Sequence, residues 1–240
     1  MMQKFDYINH YKIDAEEFDY FEERKGATAH DERRVHEYIL SKIANNPKTV
    51  LDVGAGSAWV ARHFEGKNVN VISLDISKKN VEMAKSLINN NQHFPLVSDS
   101  FFLPISDNSI DIVIASEIIE HVFDPQIFIQ ELYRVVKNGG QLIVTTPYKE
   151  KLRYYLCVHC NQKTPVHSHI HSFDENKLLS FNPGKTENTS WETFGNKFLI
   201  FLRTFVLLKF FPFKLWKFSD SIFNKIKNIP VHIIVQYYKR

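Results

Sequence analysis

Apolar residues recur along this chain with two alternating periods, and the alternation predicts a layered α/β architecture. Residues 1–46 read as mostly helical and polar, with Val35, Tyr38, Ile39 and Ile43 at helical spacing between Asp31 and Ile43. Pro47 then introduces a strand, Thr49 to Val53, and a glycine turn opens onto a helix that runs to about Phe64. Val69 to Leu74 reads as a second strand ending at Asp75. Ser77 can cap a helix through about Asn89, with Val81, Ala84, Leu87 and Ile88 on its inner face. Leu96-Val97 is a short strand ending at Asp99, and residues 100–110 read as a loop. Ile110 to Ala115 has the unbroken apolar run of a strand buried on both faces. Pro125 opens a helix to Lys137, Asn138-Gly139-Gly140 ends it, and Gln141 to Thr145 is a fifth strand. Such alternation predicts a doubly wound, mostly parallel sheet over residues 47–147. Past Pro147 the pattern breaks. Ser172-Phe173-Asp174-Glu175 resembles a capping box, 182–190 reads as a polar loop, and Val231 to Tyr238 looks like a last strand. Residues 148–230 therefore read as an insertion ahead of a closing strand within 231–240.

Composition narrows the class. A chain of 240 residues can bury a full core without staples, and two cysteines do not make a disulfide framework. No apolar stretch of signal-peptide length follows Met1, so the expected location is the cytoplasm. The net charge of +3 conceals an asymmetry: residues 197–240 carry nine Lys/Arg against one acid, Asp220, which makes that arm +8 and the rest of the chain −5. Such an arm suits an anionic partner.

The densest chemistry lies in Leu51-Asp52-Val53-Gly54-Ala55-Gly56-Ser57-Ala58. Two close glycines between a buried strand and a helix allow the backbone to approach a ligand. A dinucleotide fingerprint needs a third glycine where Trp59 stands. Asp75 ends the next strand, where a carboxylate can accept both ribose hydroxyl protons. Asp99 follows the third strand, within reach of an adenine amino group.

These residues resemble the class I S-adenosylmethionine-dependent methyltransferases, in particular their type-11-like members. The resemblance covers about residues 48–147. Leu51 to Gly56 looks like the family's first motif, and Asp75 matches its ribose-binding acid. Asp99-Ser100, Leu103-Pro104-Ile105 and Asn108 to Val113 resemble the segment that lines adenine and enters the fourth strand. Leu132 to Gly140 looks like its helix-to-strand-five passage. The resemblance implies a Rossmann-like methyltransferase fold and S-adenosylmethionine as cofactor, held by Asp52, Gly54, Ala55, Gly56, Asp75, Ile76, Asp99, Ser100 and Glu117. Ser57-Ala58 departs from the Thr-Gly of many members. Asp111, at the start of the fourth strand, reads as structural.

Two further constellations leave alternatives open. Glu117, Glu120 and His121 share a face if their segment is helical. The run resembles the metal-binding segment of some quinone-pathway and small-RNA 2′-O-methyltransferases. It also suits a cofactor contact by Glu117 with His121 lining a substrate pocket, or His121 as general base. Cys157-x2-Cys160 with His169 and His171 has the donors of a structural zinc site. The same residues suit a reduced cysteine pair among aromatics with histidines near the substrate, or a redox pair. His169-Ile170-His171-Ser172-Phe173-Asp174 resembles the type-11-like turn beside the acceptor pocket, which makes His169 or His171 a second candidate base.

Residues 197–218 mix Phe, Leu and Trp with a basic residue every few positions, and Pro212 breaks them. No uncharged run is long enough to span a bilayer. The segment suits peripheral contact with a membrane at its inner, cytoplasmic face, a lid over an apolar substrate, or core-packing helices before the last strand. The leading expectation is methylation, O-methylation first, of a small-molecule acceptor: a glycan, a quinone-like ring or a lipid-linked precursor. A metal-assisted RNA 2′-O-methyltransferase and a non-catalytic cofactor-fold binding protein are the alternatives. A nucleic-acid partner is disfavoured because Ala115-Ser116-Glu117 stands where amino-methylating enzymes carry Asn/Asp-Pro-Pro-Tyr/Phe.

Overall fold

The computed structural model describes residues 5–44, 46–184 and 189–240. Two helices, α1 (Tyr7–Glu17) and α2 (Gly26–Leu40), precede the sheet. The alternating core follows as β1 (Thr49–Val53), α3 (Trp59–Phe64), β2 (Asn70–Asp75), α4 (Lys78–Leu87), β3 (His93–Val97), β4 (Ile110–Ser116), α5 (Pro125–Val135) and β5 (Val136–Pro147). A hairpin of β6 (Tyr154–Leu156) and β7 (Lys163–Pro165) comes next, then α6 (Glu175–Ser180) and β8 (Thr189–Asn196). Helices α7 (Lys197–Phe201), α8 (Phe205–Leu208) and α9 (Phe213–Ile226) lead into β9 (Pro230–Tyr238).

Seven strands form one sheet in the order β3-β2-β1-β4-β5-β9-β8. The first five are parallel; β9 runs antiparallel between β5 and β8. Adjacent residues of β1 serve opposite faces, as the two-residue pleat requires. Leu51 packs with Val113, Val144 and Val235 beneath Phe128, Ile129 and Leu132 of α5. Val50 packs with Ile112, Ile143 and Ile234 beneath Tyr38 and Ile39 of α2, Val60 of α3 and Trp216 of α9.

Local chemistry sets the element ends. Ser77 caps α4 by accepting from the Asn80 N–H, and Asp124 caps α5 ahead of Pro125, which sits at the helix start where no N–H is needed. The cap of α6 is Asp174, accepting from the Lys177 N–H at 2.8 Å, so the capping-box reading with Ser172 in that role is corrected by two residues. Asp111 is structural as expected: its Oδ2 accepts from the backbone of Lys48 and Thr49 and from the Thr49 hydroxyl, and Lys137 pairs with it. Gly140 passes so close to the Asp111 carbonyl that a Cβ would lie 2.6 Å from that oxygen.

The segment 148–230 is not a single insertion. Its β8 is a strand of the main sheet, paired along β9 from Thr189↔Tyr237 to Asn196↔Pro230. An edge strand half-covered on one face alternates weakly, and its first residues fall in the stretch read as a polar loop. Glu192 fastens β8 to the helices: it accepts from Tyr38 Oη at 2.6 Å, pairs with Lys42 and lies 3.3 Å from Lys217 Nζ.

Candidate functional site

Parallel register places the carboxyl ends of β1, β2 and β4 side by side, with Val53 opposite both Leu74 and Ala115. The residues that follow those ends are Gly54, Ile76 and Glu117, and all three line one cavity at this edge. In open α/β sheets this edge is where ligands bind. Gly54 (φ +66°) and Gly56 (φ +47°) hold left-handed backbone there; a Cβ on Gly54 would collide with Ile118 Cδ1. The cavity floor is thus bare backbone. Ala58 also takes a left-handed conformation, φ +54°, at the position where the sequence departs from Thr-Gly.

Asp75 is pinned rather than free. Its Oδ1 accepts from the Ser77 N–H at 2.8 Å; its Oδ2 accepts from the Gly56 N–H at 3.1 Å and from Asn80 Nδ2 at 3.3 Å. A carboxylate has about four acceptor positions, so this side chain keeps capacity for a ligand hydroxyl. Burial raises its pKa, and the hydrogen-bond donors around it offset only part of that rise. Asp52 is 1% exposed, and one of its oxygens has no partner. Burial, then the charge of Asp75, hold its carboxyl well above the usual range.

Of the residues expected at a cofactor, Gly54, Gly56, Asp75, Ile76, Ser100 and Glu117 line the cavity. Asp52, Ala55 and Asp99 stand behind it. The Ala55 N–H is spent on the Leu74 carbonyl at 2.9 Å. Asp99 accepts from the Phe101 N–H at 2.9 Å and from Tyr7 Oη at 2.5 Å, so Ser98 and Ser100 rather than Asp99 face the space.

The residues that roof the cavity lie outside every motif of the sequence. Tyr7, Tyr11 and Ala15 of α1, with Tyr20 beyond it, close over the glycine turn. Tyr11 Oη donates to the His121 carbonyl at 3.1 Å, and Tyr20 Oη donates to Asp14 at 2.5 Å. The i, i+4, i+8 spacing of Tyr7, Tyr11 and Ala15 was the available signal.

The expected face of Glu117, Glu120 and His121 does not form. Glu117 is left-handed (φ +51°), and only Ile119–His121 coil, as one 3-10 turn. Glu117 turns instead toward β9, where its Oε2 lies 3.3 Å from His232 Nδ1; His232 Nε2 lies 3.0 Å from Asp31 Oδ2 of α2. Burial pulls the His232 imidazole down, but the two carboxylates overcome it and push it up to about 10. His232 is therefore a buried cation at neutral pH. The other oxygen of Glu117 is buried without a partner.

His169 takes the place that Glu117 leaves. Among the described residues, the one group of three side chains whose ligand atoms lie within 4.8 Å of one another is Glu120, His121 and His169. Glu120 is fully buried and accepts from Thr146 Oγ1 at 3.0 Å. Burial, and next the nearby histidines, push the His121 imidazole down to about 3. His169 Nδ1 sits 2.5 Å from Glu150 Oε2.

The zinc set of Cys157, Cys160, His169 and His171 is not brought together. The cysteines sit on the turn of the β6–β7 hairpin, with Cys160 exposed. The Ile170 and His171 amides both donate to the Glu120 carbonyl, which seats the histidine segment against the cavity wall instead. His171 packs toward Phe173, and its Nε2 is buried without a partner. It does not line the cavity, which weakens its candidacy as base.

Residues 51–144 match the family model described as a methyltransferase domain. A ubiquinone biosynthesis O-methyltransferase of Rickettsia akari (strain Hartford) is 32% identical over 127 residues, covering 50% of this chain and 51% of that protein. The chain spans about half the length of the curated relative it matches. One chain of the complex between the Haloferax volcanii Trm112 methyltransferase activator and a methyltransferase superposes with a TM-score of 0.61 at 17% identity, covering 97% of this chain and 98% of the other. Haemonchus contortus phosphoethanolamine N-methyltransferase 2, in complex with S-adenosyl-L-methionine, superposes with a TM-score of 0.56 at 16% identity, covering 87% of this chain and 52% of that one. Residues 51–144 thus match a methyltransferase domain, within a fold shared with these solved structures.

Proposed function

With a methyltransferase-domain match over residues 51–144, we propose that this chain is a class I methyltransferase that transfers a methyl group from S-adenosylmethionine to an oxygen of a small, quinone-like acceptor. The observation that carries this reading is the cavity itself, where bare glycine backbone, a pinned Asp75 and an unpartnered Glu117 oxygen converge. The residues present fit the cofactor. Asp75 would hold the ribose hydroxyls, Ile76, Ser100 and Phe101 would flank the adenine, and Gly54 and Gly56 would admit the amino-acid end. The free oxygen of Glu117 suits an ammonium group. When bound, the cofactor supplies a methyl group on a sulfonium, a leaving group that needs no acid.

The protein's work is then to position the acceptor and manage its proton. His121 lines the cavity, is neutral at physiological pH and has an unpartnered Nδ1. A base whose conjugate acid titrates near 3 takes a hydroxyl proton poorly. Its fit to a divalent cation, beside Glu120 and His169, is better: a neutral imidazole is the ligand form. Such a cation, when bound, would lower the pKa of an acceptor hydroxyl.

The curated relative is named for ubiquinone biosynthesis and O-methylation, which favours a quinone-like acceptor over RNA and over a non-catalytic role. An apolar acceptor of that kind suits peripheral contact of residues 197–218 with the cytoplasmic face of a membrane. Among the described residues no helix is long and apolar enough to cross one. The test is methyl transfer from labelled cofactor to catechol-type acceptors, with and without chelator. Transfer abolished by Asp75→Ala and reduced by chelator is expected; transfer indifferent to Asp75→Ala would overturn the reading.

A further inference from the structure

Helix α9 divides into three sectors. At about 100° per residue, its buried side is centred on Trp216 and Asp220, the only α9 residues fully covered. On the outward side, Leu215, Phe218, Ile222 and Ile226 follow one another at spacings of three and four and form a single stripe of about 80°. All four are exposed, Phe218 at 63% and Ile226 at 75%. Lys214 and Lys225 flank that stripe on its other edge, while Lys217 lies further round and pairs with Glu192. The preceding turns continue the pattern, with Phe201, Leu207 and Phe210 each at least 70% exposed beside Arg203 and Lys209.

Single exposed apolar side chains need no explanation, but a stripe of large ones is unusual for a surface facing only water. Charge identifies what covers it. Between Lys197 and Lys227 the chain has seven basic residues and one acid. That acid, Asp220, is turned inward and accepts from the Gly195 N–H and from Asn224 Nδ2. The outward face is therefore purely cationic. A second copy meeting it through a two-fold axis would bring lysine against lysine. The helices are also held in place. Arg34, almost fully buried on α2, donates to the carbonyls of Leu208 and Phe211 and lies 5.0 Å over the Trp216 ring.

We propose that the outer face of α7–α9 docks on an anionic lipid membrane, with the stripe in the interface and the lysines at the headgroups. The surface extends past residue 218 to Ile226 and Lys227. It rests on the membrane-side part of the functional reading and would present the chain to an apolar acceptor dissolved in the bilayer.

The experiment is co-sedimentation of the full chain with vesicles of phosphatidylcholine, alone or mixed with phosphatidylglycerol. Binding to the mixed vesicles, weakened by salt, is expected. Phe218→Glu with Ile222→Glu should reduce partitioning by at least about a hundredfold, from the transfer free energy of two large side chains. Lys214→Gln with Lys225→Gln should reduce it about thirtyfold, at about fivefold per charge. Lys217 is left alone because it also serves Glu192. Absence of partitioning, or partitioning unmoved by the paired glutamates, overturns the proposal. So does a concentration-dependent dimer, seen by light scattering, that the paired glutamates dissolve. Calorimetry with S-adenosylmethionine on the same samples reads the catalytic assignment separately, because α9 contributes nothing to the cavity.

Discussion

Replacing His232 by Gln removes the one cation between Glu117 and Asp31. The side chain is 8% exposed, and its two nitrogens lie 3.3 Å and 3.0 Å from the two carboxylates. Breaking a buried ion pair by deleting one partner costs about 3–5 kcal/mol, because a charge is left uncompensated. Asp31 is 37% exposed and Glu117 30%, so water screens part of that loss. The expected destabilisation is about 3 kcal/mol at neutral pH, read from urea midpoints at unchanged slope. The pH dependence has a definite sign. A folded-state pKa raised from 6.5 to about 10 gives stability that is complete below pH 6.5 and is lost as pH rises through about 10. The difference between wild type and His232→Gln should shrink over that window. Adding Glu117→Gln to His232→Gln should restore part of the loss, with a coupling of about 1–2 kcal/mol in the double-mutant cycle. A single-variant loss below about 1 kcal/mol, or a cycle that closes to zero, refutes the bridge between α2, β9 and the cavity.

Other consequences follow from the same geometry. Arg34→Met leaves the Leu208 and Phe211 carbonyls without their donor and should cost about 2–4 kcal/mol in denaturant unfolding, with α8 becoming protease-sensitive. Although burial raises the Glu192 pKa, Lys42, Tyr38 and Lys217 bring it down to about 2. Its stabilisation is therefore present above about pH 4.5 and lost as pH falls through about 2; because the side chain is 43% exposed, Glu192→Gln should cost only about 1 kcal/mol at neutral pH and nothing near pH 2. Gly54→Ala forces a left-handed alanine and drives Ile118 into the cavity; cofactor affinity measured by calorimetry should fall at least about tenfold, with about 1 kcal/mol of stability lost.

Most of the core from Thr49 to Thr145 was legible because its elements carry their own signals; the differences are β3, which begins at His93 rather than Leu96, and Val136 to Gly140, which belong to β5 rather than to a helix end and turn. The inner strands β1 and β4 are buried on both faces, Gly54 and Gly56 mark a turn, and Ser77 and Pro125 mark helix starts. What escaped depends on contacts between distant segments. The edge strand β8 shows little alternation because Trp191 faces solvent while Glu192 is held by Lys42, Tyr38 and Lys217. Spacing placed Asp52, Asp75 and Asp99 at or after strand ends, yet spacing could not reveal that Tyr7 occupies Asp99. The Glu117-Glu120-His121 pattern assumed helical backbone; a left-handed Glu117 broke it, and His169, about fifty residues on, stands beside Glu120 and His121 instead. The i, i+4, i+8 spacing of Tyr7, Tyr11 and Ala15 marks one face of α1, but nothing local to that helix says which surface the face covers.

The central claim, a cofactor site built on Asp75 and the glycine turn, is tested most directly by titrating S-adenosylmethionine into the wild-type chain and into Asp75→Asn. Asn keeps the size of the side chain but lacks the charge that strengthens hydrogen bonds to ribose hydroxyls. At about 1.5–3 kcal/mol per charged hydrogen bond, affinity should drop between about tenfold and a hundredfold. The account predicts saturable one-site binding to the wild type and that drop in the variant. No binding to the wild type, or equal binding to both, would contradict it.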